Sequence, residues 1–256
     1  MPPMLQLLVL APLGLLAGGL SGLLGIGGGL IFAPLLLALG LSPHSALATS
    51  TLAIVPTTMG GSLGHLRAGQ LPWRQGLLMA AAAALGGLVF SRLGGQVRGS
   101  GLLAAQALLY TGLCLTISPR SALPEGLEQR PGQVGLAGTG LIAGVASGLV
   151  GVGGGLVIVP LLVRCLRLSV HQAVRLSTLA VLMSALGASV VFVADGRGQL
   201  GAALVLGGSA ALSARWTARR LDQVPEQRLV QLLRLLTAVL ACSSGWRAVT
   251  AGLGGG

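Results

Sequence analysis

The sequence predicts an all-α, polytopic integral membrane protein built from two duplicated halves, each with a glycine-broken hairpin followed by about three spanning helices. Three observations predict it. Of the 256 residues, 53% are hydrophobic and only 8% charged, where a soluble domain carries about a quarter charged residues. No charged residue occurs before Arg67, and further charge-free windows run over residues 75–91, 99–119, 131–163, 176–194 and 198–214. A spanning helix needs roughly 17–25 predominantly apolar residues, which these windows supply. Finally, the chain repeats itself. Residues 21–36, SGLLGIGGGLIFAPLL, and 147–162, SGLVGVGGGLVIVPLL, agree at eleven of sixteen positions at an offset of 126. The other five positions exchange one apolar residue for another.

The elements follow in order. Residues 5–41 are continuously apolar; as one straight helix they would reach about 55 Å, against a hydrocarbon core of roughly 30 Å. Four glycines in the five residues 25–29 break that run, because glycine is costly inside a helix. The two arms then turn back as a hairpin, either fully spanning or re-entrant. Three clear helices follow, over about 45–66, 73–92 and 101–117. A polar linker, SPRSALPEGLEQRPGQ, occupies residues 118–133. Beyond it the order of features repeats, with a second broken hairpin over 134–166. LSPHSALATSTLA at 41–53 and LSVHQAVRLSTLA at 168–180 agree at eight of thirteen positions. The organisation is therefore a first membrane repeat at 1–117, the linker at 118–133 and a second repeat at 134–256.

A hairpin plus three helices is an odd number of crossings, so the halves come out inverted, as in many transporters. The basic residues test this. All sixteen are arginine. The hairpin arrangement places twelve on one side and four on the other; parallel halves with a single first crossing would divide them ten to six. The enrichment of basic residues in cytoplasmic loops favours the sharper asymmetry. The net charge of +11 is thus a topology signal of a polytopic membrane protein, not a nucleic-acid footprint, since the arginines sit in short loops between apolar windows.

The chemistry concentrates in the duplicated stretches. A glycine-rich turn opening a helix leaves backbone amides unpaired at the positive end of the helix dipole. Without a Cβ, those amides approach a ligand closely, and a small anion with several oxygens suits them. The candidate anion-binding positions are Gly25, Gly27, Gly28 and Gly29 in the first half, and Gly151, Gly153, Gly154 and Gly155 in the second. Ser50 and Thr51, and their equivalents Ser177 and Thr178, bring hydroxyls near the middle of matching helices; Thr57 and Thr58 are weaker lining candidates. Arg175 replaces Ala48 two residues before Ser177 and either snorkels to the surface or draws anions into the entrance. His44 and His171 share an interfacial position, and His65 with Arg67 reads as a solvated helix end. Scattered glycines such as Gly86, Gly87, Gly94 and Gly95 read as packing positions.

Other classes fit poorly. GVASG at 144–148 resembles a serine-protease elbow, but the three histidines lie at helix ends or loops. No acidic pair or metal-ligand spacing falls inside the membrane windows. No catalytic residue, metal site or cofactor is predicted. The three cysteines form no CxxC pair and read as small buried hydrophobes. The N-terminus lacks the basic region of a cleaved signal peptide.

The two glycine motifs with Pro34 and Pro160, each followed by a polar turn and A…STLA, resemble the sulfite exporter TauE/SafE family of permeases over residues 5–247. That resemblance implies a multipass inner-membrane carrier for sulfur-containing anions such as sulfite or sulfonates, often acting as an exporter. It maps the motif glycines onto Gly25, Gly27, Gly28, Gly29, Gly151, Gly153, Gly154 and Gly155; Arg175 departs from the repeat. The expected partners are the anionic substrate, the lipid bilayer and possible further copies of the chain, with an anion channel or a membrane scaffold as alternatives to a carrier.

Overall fold

The computed structural model describes residues 3–67, 73–116, 132–151 and 153–253, and every regular element among them is helical. The first half comprises α1 (Pro3–Leu24), α2 (Gly29–Ala38), α3 (Pro43–Arg67), α4 (Trp73–Gly94) and α5 (Gly99–Thr116). The second comprises α6 (Gln133–Val150), α7 (Gly155–Cys165), α8 (Val170–Ala194), α9 (Leu200–Ala218), a single 3₁₀ turn at Leu221–Gln223, and α10 (Glu226–Leu253). The predicted breaks fall at the duplicated glycines, and the three predicted helices of the first half correspond to α3, α4 and α5. The polar linker lies, but for Gly132 and Gln133, outside the described residues.

Each break has a local cause. Gly25 ends α1 with φ +67°, and its amide bonds the Ser21 carbonyl at 2.8 Å. Gly151 ends α6 with φ +67°, and its amide bonds the Ser147 carbonyl at 3.1 Å. Left-handed glycine is the usual device for closing a helix. Gly28 and Gly154, at φ +79° and +72°, then start α2 and α7. The turns into α3 and α8 also match, because Ser42 and Ser169 each accept a bond from the amide three residues on, Ser45 and Gln172, at 3.4 Å. A serine N-cap satisfies one otherwise unpaired amide of the helix it opens.

Packing runs across the halves rather than within them. In α1, Gly14, Gly18 and Gly22 lie against Leu206, Ala210 and Ala214 of α9. In α6, Gly140, Gly144 and Gly148 lie against α4 at Met79, Ala83 and Phe90. Rising numbers meet rising numbers, so α1 runs with α9 and α6 with α4. The same rule holds for α3 on α9, where Gly60 meets Ala211, and for α8 on α4, where Gly187 meets Ala84. Across the middle the order reverses: Gly61 of α3 meets Thr178 of α8, while Ala48 clusters with Ala188 and Phe192. Helices α3 and α8 are therefore antiparallel. In lipid, association depends on close van der Waals packing, and small residues four apart supply it by letting backbones touch.

The outer surface is apolar. Leu16, Leu77, Leu108, Val134, Leu204, Leu212 and Leu235 are each more than 65% exposed. Three described helical spans, Gln75–Gly94, Gln133–Val150 and Val170–Ala194, are long and apolar enough to cross a bilayer, with shorter apolar helices at Val9–Leu24, Gly29–Ala38 and Gly155–Cys165. Leucines turned outward along such helices cover the hydrocarbon face of the bilayer. Cys165 and Cys242 are exposed, contrary to the expectation of burial, because Cys165 is the last residue of α7 and Cys242 faces outward from the middle of α10; the side chain of Cys114 lies outside the described residues.

Gly144→Leu is expected to destabilise the protein by about 1–3 kcal/mol through overpacking, since a Cβ there would lie 2.6 Å from the Ala83 carbonyl oxygen. Gly208→Ala, whose Cβ would meet nothing within 4 Å, should instead be neutral or stabilising by up to ~1 kcal/mol. Thermal unfolding of the two purified variants beside wild type checks the contrast.

Candidate functional site

The two glycine-rich breaks meet at the centre of the molecule. Gly25, Gly27, Gly28, Gly29, Gly151, Gly153, Gly154 and Gly155 are all buried. A Cβ on Gly155 would lie 2.5 Å from the Gly25 carbonyl oxygen, so the first break touches the second directly. Gly27 and Gly153 face the same two side chains, Ile54 of α3 and Val181 of α8, which are equivalent residues of the two halves. Gly25 abuts Val174, and Gly151 abuts Leu47, again an equivalent pair. Side chains at Gly25, Gly151 or Gly154 would penetrate neighbouring backbone, which moves only at the cost of the fold.

Two serines tie the breaks together. Ser50 Oγ donates to the Gly151 carbonyl of the other half at 3.0 Å, and lies 3.3 Å from the Gly29 carbonyl of its own. Ser177 Oγ donates to the Gly25 carbonyl of the other half at 2.8 Å, and lies 3.5 Å from the Gly155 carbonyl of its own. One hydroxyl carries one proton, so each is shared between two acceptors. Both serines are fully buried. The arrangement satisfies the carbonyls that the helix ends leave free, in a region without water to do so.

The amides are left over. Among the described residues, none of the amides of Gly27, Gly28 and Gly29, or of Gly153, Gly154 and Gly155, donates a hydrogen bond. These are the amides that a helix start cannot satisfy internally. A buried amide without an acceptor costs about 1–3 kcal/mol, and six of them in one place form a concentrated set of donors.

The other predicted residues are placed as follows. Thr51 and Thr178 return their hydroxyl protons to their own helices, bonding the Leu47 and Val174 carbonyls at 2.9 Å. Thr57 and Thr58 do likewise with the Ala53 and Ile54 carbonyls at 2.8 Å. These hydroxyls are occupied within the helix in this conformation. Arg175 forms an ion pair with Asp222 of the 3₁₀ turn, and its Nε is buried without a partner. His171 Nδ1 lies 3.2 Å from Glu226, and its Nε2 bonds the Val224 carbonyl.

His65 departs from the sequence reading: it is completely buried, with neither ring nitrogen hydrogen-bonded. Its helix end is covered rather than solvated, because Gly64 lets Ala218 and Arg215 of α9 approach to contact. Sequence reasoning also missed the tie between the serines and the glycine carbonyls of the opposite half. The duplication of Ser50 and Ser177 was its only visible trace.

Ser50→Ala and Ser177→Ala each strand the buried carbonyl at the opposite break, that of Gly151 and of Gly25, and are expected to cost about 1–3 kcal/mol apiece. The loss should appear as a lower unfolding temperature for each purified variant. Thr51→Ala, which removes only a bond to its own helix, should cost less than either serine change.

Comparison with known proteins identifies the family. The family model described as Sulfite exporter TauE/SafE matches residues 10–244. A probable membrane transporter protein of Xylella fastidiosa (strain 9a5c) is 32% identical over 182 residues, covering 69% of this chain and 70% of the relative. A similarly described protein of Haemophilus influenzae is 29% identical, covering 72% and 73%. The probable membrane transporter protein YunE of Bacillus subtilis is 21% identical over 93% of this chain and 97% of its own. No solved structure matches. With a family match spanning both glycine-rich breaks and all but the ends of the chain, this protein belongs to the sulfite exporter TauE/SafE family and is a membrane transporter.

Proposed function

We propose that the protein is a secondary permease that carries small sulfur-containing anions, such as sulfite or organosulfonates, across the inner membrane. One observation carries this reading: six buried glycine amides without acceptors, at the facing starts of α2 and α7. A small oxyanion supplies several acceptor oxygens at once. It meets the positive ends of two helix dipoles there and needs no metal or bound cation. The serine hydroxyls support the reading indirectly, since they occupy the glycine carbonyls and leave the amides as the unsatisfied partner.

Ile54 and Val181 close the centre against Gly27 and Gly153. A closed centre with an unsatisfied donor set favours a carrier that opens alternately to each side over a standing pore. The three described acids, Asp195, Asp222 and Glu226, lie at helix ends and each pairs with a basic residue. A carboxylate proton relay through the membrane interior has no residue to use among the described residues. Uniport, or movement of a protonated substrate, fits better.

The proposed topology has inverted halves. Equivalent helices α3 and α8 run antiparallel, and the contacts of Gly25 with Val174 and of Gly151 with Leu47 recur with the halves exchanged. Such an axis in the membrane plane lets one rocking motion expose the same site to both sides in turn.

Two measurements test these readings. Sulfite, sulfoacetate or taurine should raise the unfolding temperature of the purified protein by binding the native state, and sulfite loaded inside proteoliposomes should drive counterflow of external labelled sulfite. Flux without counterflow would mean a pore, and neither effect with any of the three would remove the anion-carrier reading. For topology, Ser42→Cys and Ser169→Cys in a background lacking the native cysteines should react with an impermeant thiol reagent from opposite sides of the membrane. Reaction from the same side would exclude inversion.

A further inference from the structure

Helix α9 presents an apolar face to the outside and ends it in an aromatic and charged pair. Leu200, Leu204 and Leu212 are each more than half exposed, and Trp216, one turn beyond Leu212, is 57% exposed. The Arg220 guanidinium stacks on the Trp216 ring, 3.9 Å from its centroid. Arg219 and Arg220 are both exposed. The opposite side of the helix is committed to the protein: Ala214 and Ala218 are completely buried, lying against Gly22 and Gly64. From Leu200 to Trp216 the helix rises about 24 Å, and the outward side chains run leucine, tryptophan, arginine. That is the order met on passing from hydrocarbon into the headgroup layer, where tryptophan rings gather.

Neither arginine is paired with a carboxylate among the described residues. The two described acids at this end, Asp222 and Glu226, are engaged by Arg175 and His171 of α8. Nor does the duplication explain the pair. Gly18 meets Ala210 of α9 as Gly144 meets Ala83 of α4, so α4 carries Val89 and Leu93 where α9 carries Trp216 and Arg220. Both are exposed, at 51% and 46%, while Arg92 matches Arg219. Contact with lipid chains accounts for the two apolar side chains on α4. An indole and a cation at the same places on α9 are suited to a different neighbour, one that is polar and negatively charged.

We propose that Trp216, Arg219 and Arg220 form a binding site for the headgroup phosphate of an anionic phospholipid. Stacking occupies the flat face of the Arg220 guanidinium and leaves its N–H edge, which meets phosphate oxygens bidentately. Trp216 fixes the cation at headgroup depth, and Leu212 below it meets the acyl chains. Two adjacent cations favour a lipid of net negative charge over a zwitterionic one, whose own ammonium group they repel. Each arginine at an anionic membrane surface strengthens binding by about fivefold. The site lies on the outer surface and does not rest on the anion-carrier reading, because it requires only that α9 faces lipid.

The test uses the full chain carrying Trp73→Phe and Trp246→Phe, so that Trp216 alone reports. The protein is reconstituted with phosphatidylglycerol or phosphatidylcholine brominated at the headgroup end of the acyl chains. Bromine quenches an indole only at contact, so the two quenching curves give the relative affinity of the lipids for the place beside Trp216. Phosphatidylglycerol is expected to be preferred by about fivefold or more at low salt, and the preference to fall towards one in about 0.5 M salt as the charges are screened. Arg219→Gln with Arg220→Gln should bring it close to one at any salt, while lysine at both positions keeps most of it. Quenching by phosphatidylcholine shows in each variant that Trp216 still sits against lipid. A preference near one in the chain with both arginines, one that survives the glutamine changes, or one that salt leaves unchanged overturns the site. Absence of quenching by either lipid overturns the placement of Trp216 against the bilayer, and the site with it.

Discussion

A peptide group buried in an apolar medium must find a partner within the protein, and the structure is organised around this constraint. Two helix breaks at the centre expose carbonyls at one end of each gap and amides at the other. The carbonyls are met by Ser50 and Ser177, each reaching from its own helix into the opposite half. No residue performs the same service for the amides of Gly27–Gly29 and Gly153–Gly155 among the described residues. The centre is therefore half-satisfied, and in a polarised way: acceptors quenched, donors left. An anion is the chemical complement of that state.

This arrangement depends on how closely the helices approach. Ser50 reaches Gly151 only because α3 and the α6–α7 break are in backbone contact, which Leu47 against Gly151 allows. That contact in turn requires α6 to lie deep in the groove of α4, seated through Gly140, Gly144 and Gly148. The matching stripe of Gly14, Gly18 and Gly22 seats α1 on α9. Since each long hairpin helix packs on the other half, separating the halves would dismantle both breaks at once. The glycines thus do two separate jobs. Those four apart in helices set the distance between helices, and those in the breaks take left-handed backbone that an L side chain resists.

The ends of the molecule differ from its centre in having charge, and the buried part of that charge is paired. Arg175 with Asp222 and Arg197 with Asp195 are both built from an arginine whose Nε stays buried and a carboxylate that is close to half exposed. An arginine neutralised in this way can sit next to apolar helices without leaving an isolated charge there. The two pairs come from different sequence positions: Arg175 lies within α8 and Arg197 follows it. They are convergent solutions at two ends rather than a relic of the duplication.

Hydrophobic windows, the offset repeat and the glycine clusters determined the membrane class, the order of helices and the location of the breaks, because each is a local property of chain length, polarity and backbone freedom. The sequence also singled out Ser50, Ser177 and Arg175, through recurrence or its failure. Partnership was decided only in three dimensions. Whether a serine hydroxyl bonds its own helix, as Thr51 does, or a glycine carbonyl of the other half, as Ser50 does, depends on what stands within 3 Å of it, and adjacent residues face different neighbours. The same reason hid the burial of His65, which follows from contact with α9, and the joining of His44 to Arg197 in one cavity although they lie far apart along the chain. Recurrence in sequence marks which residues share a role; only the packing of one half into the other fixes what that role is.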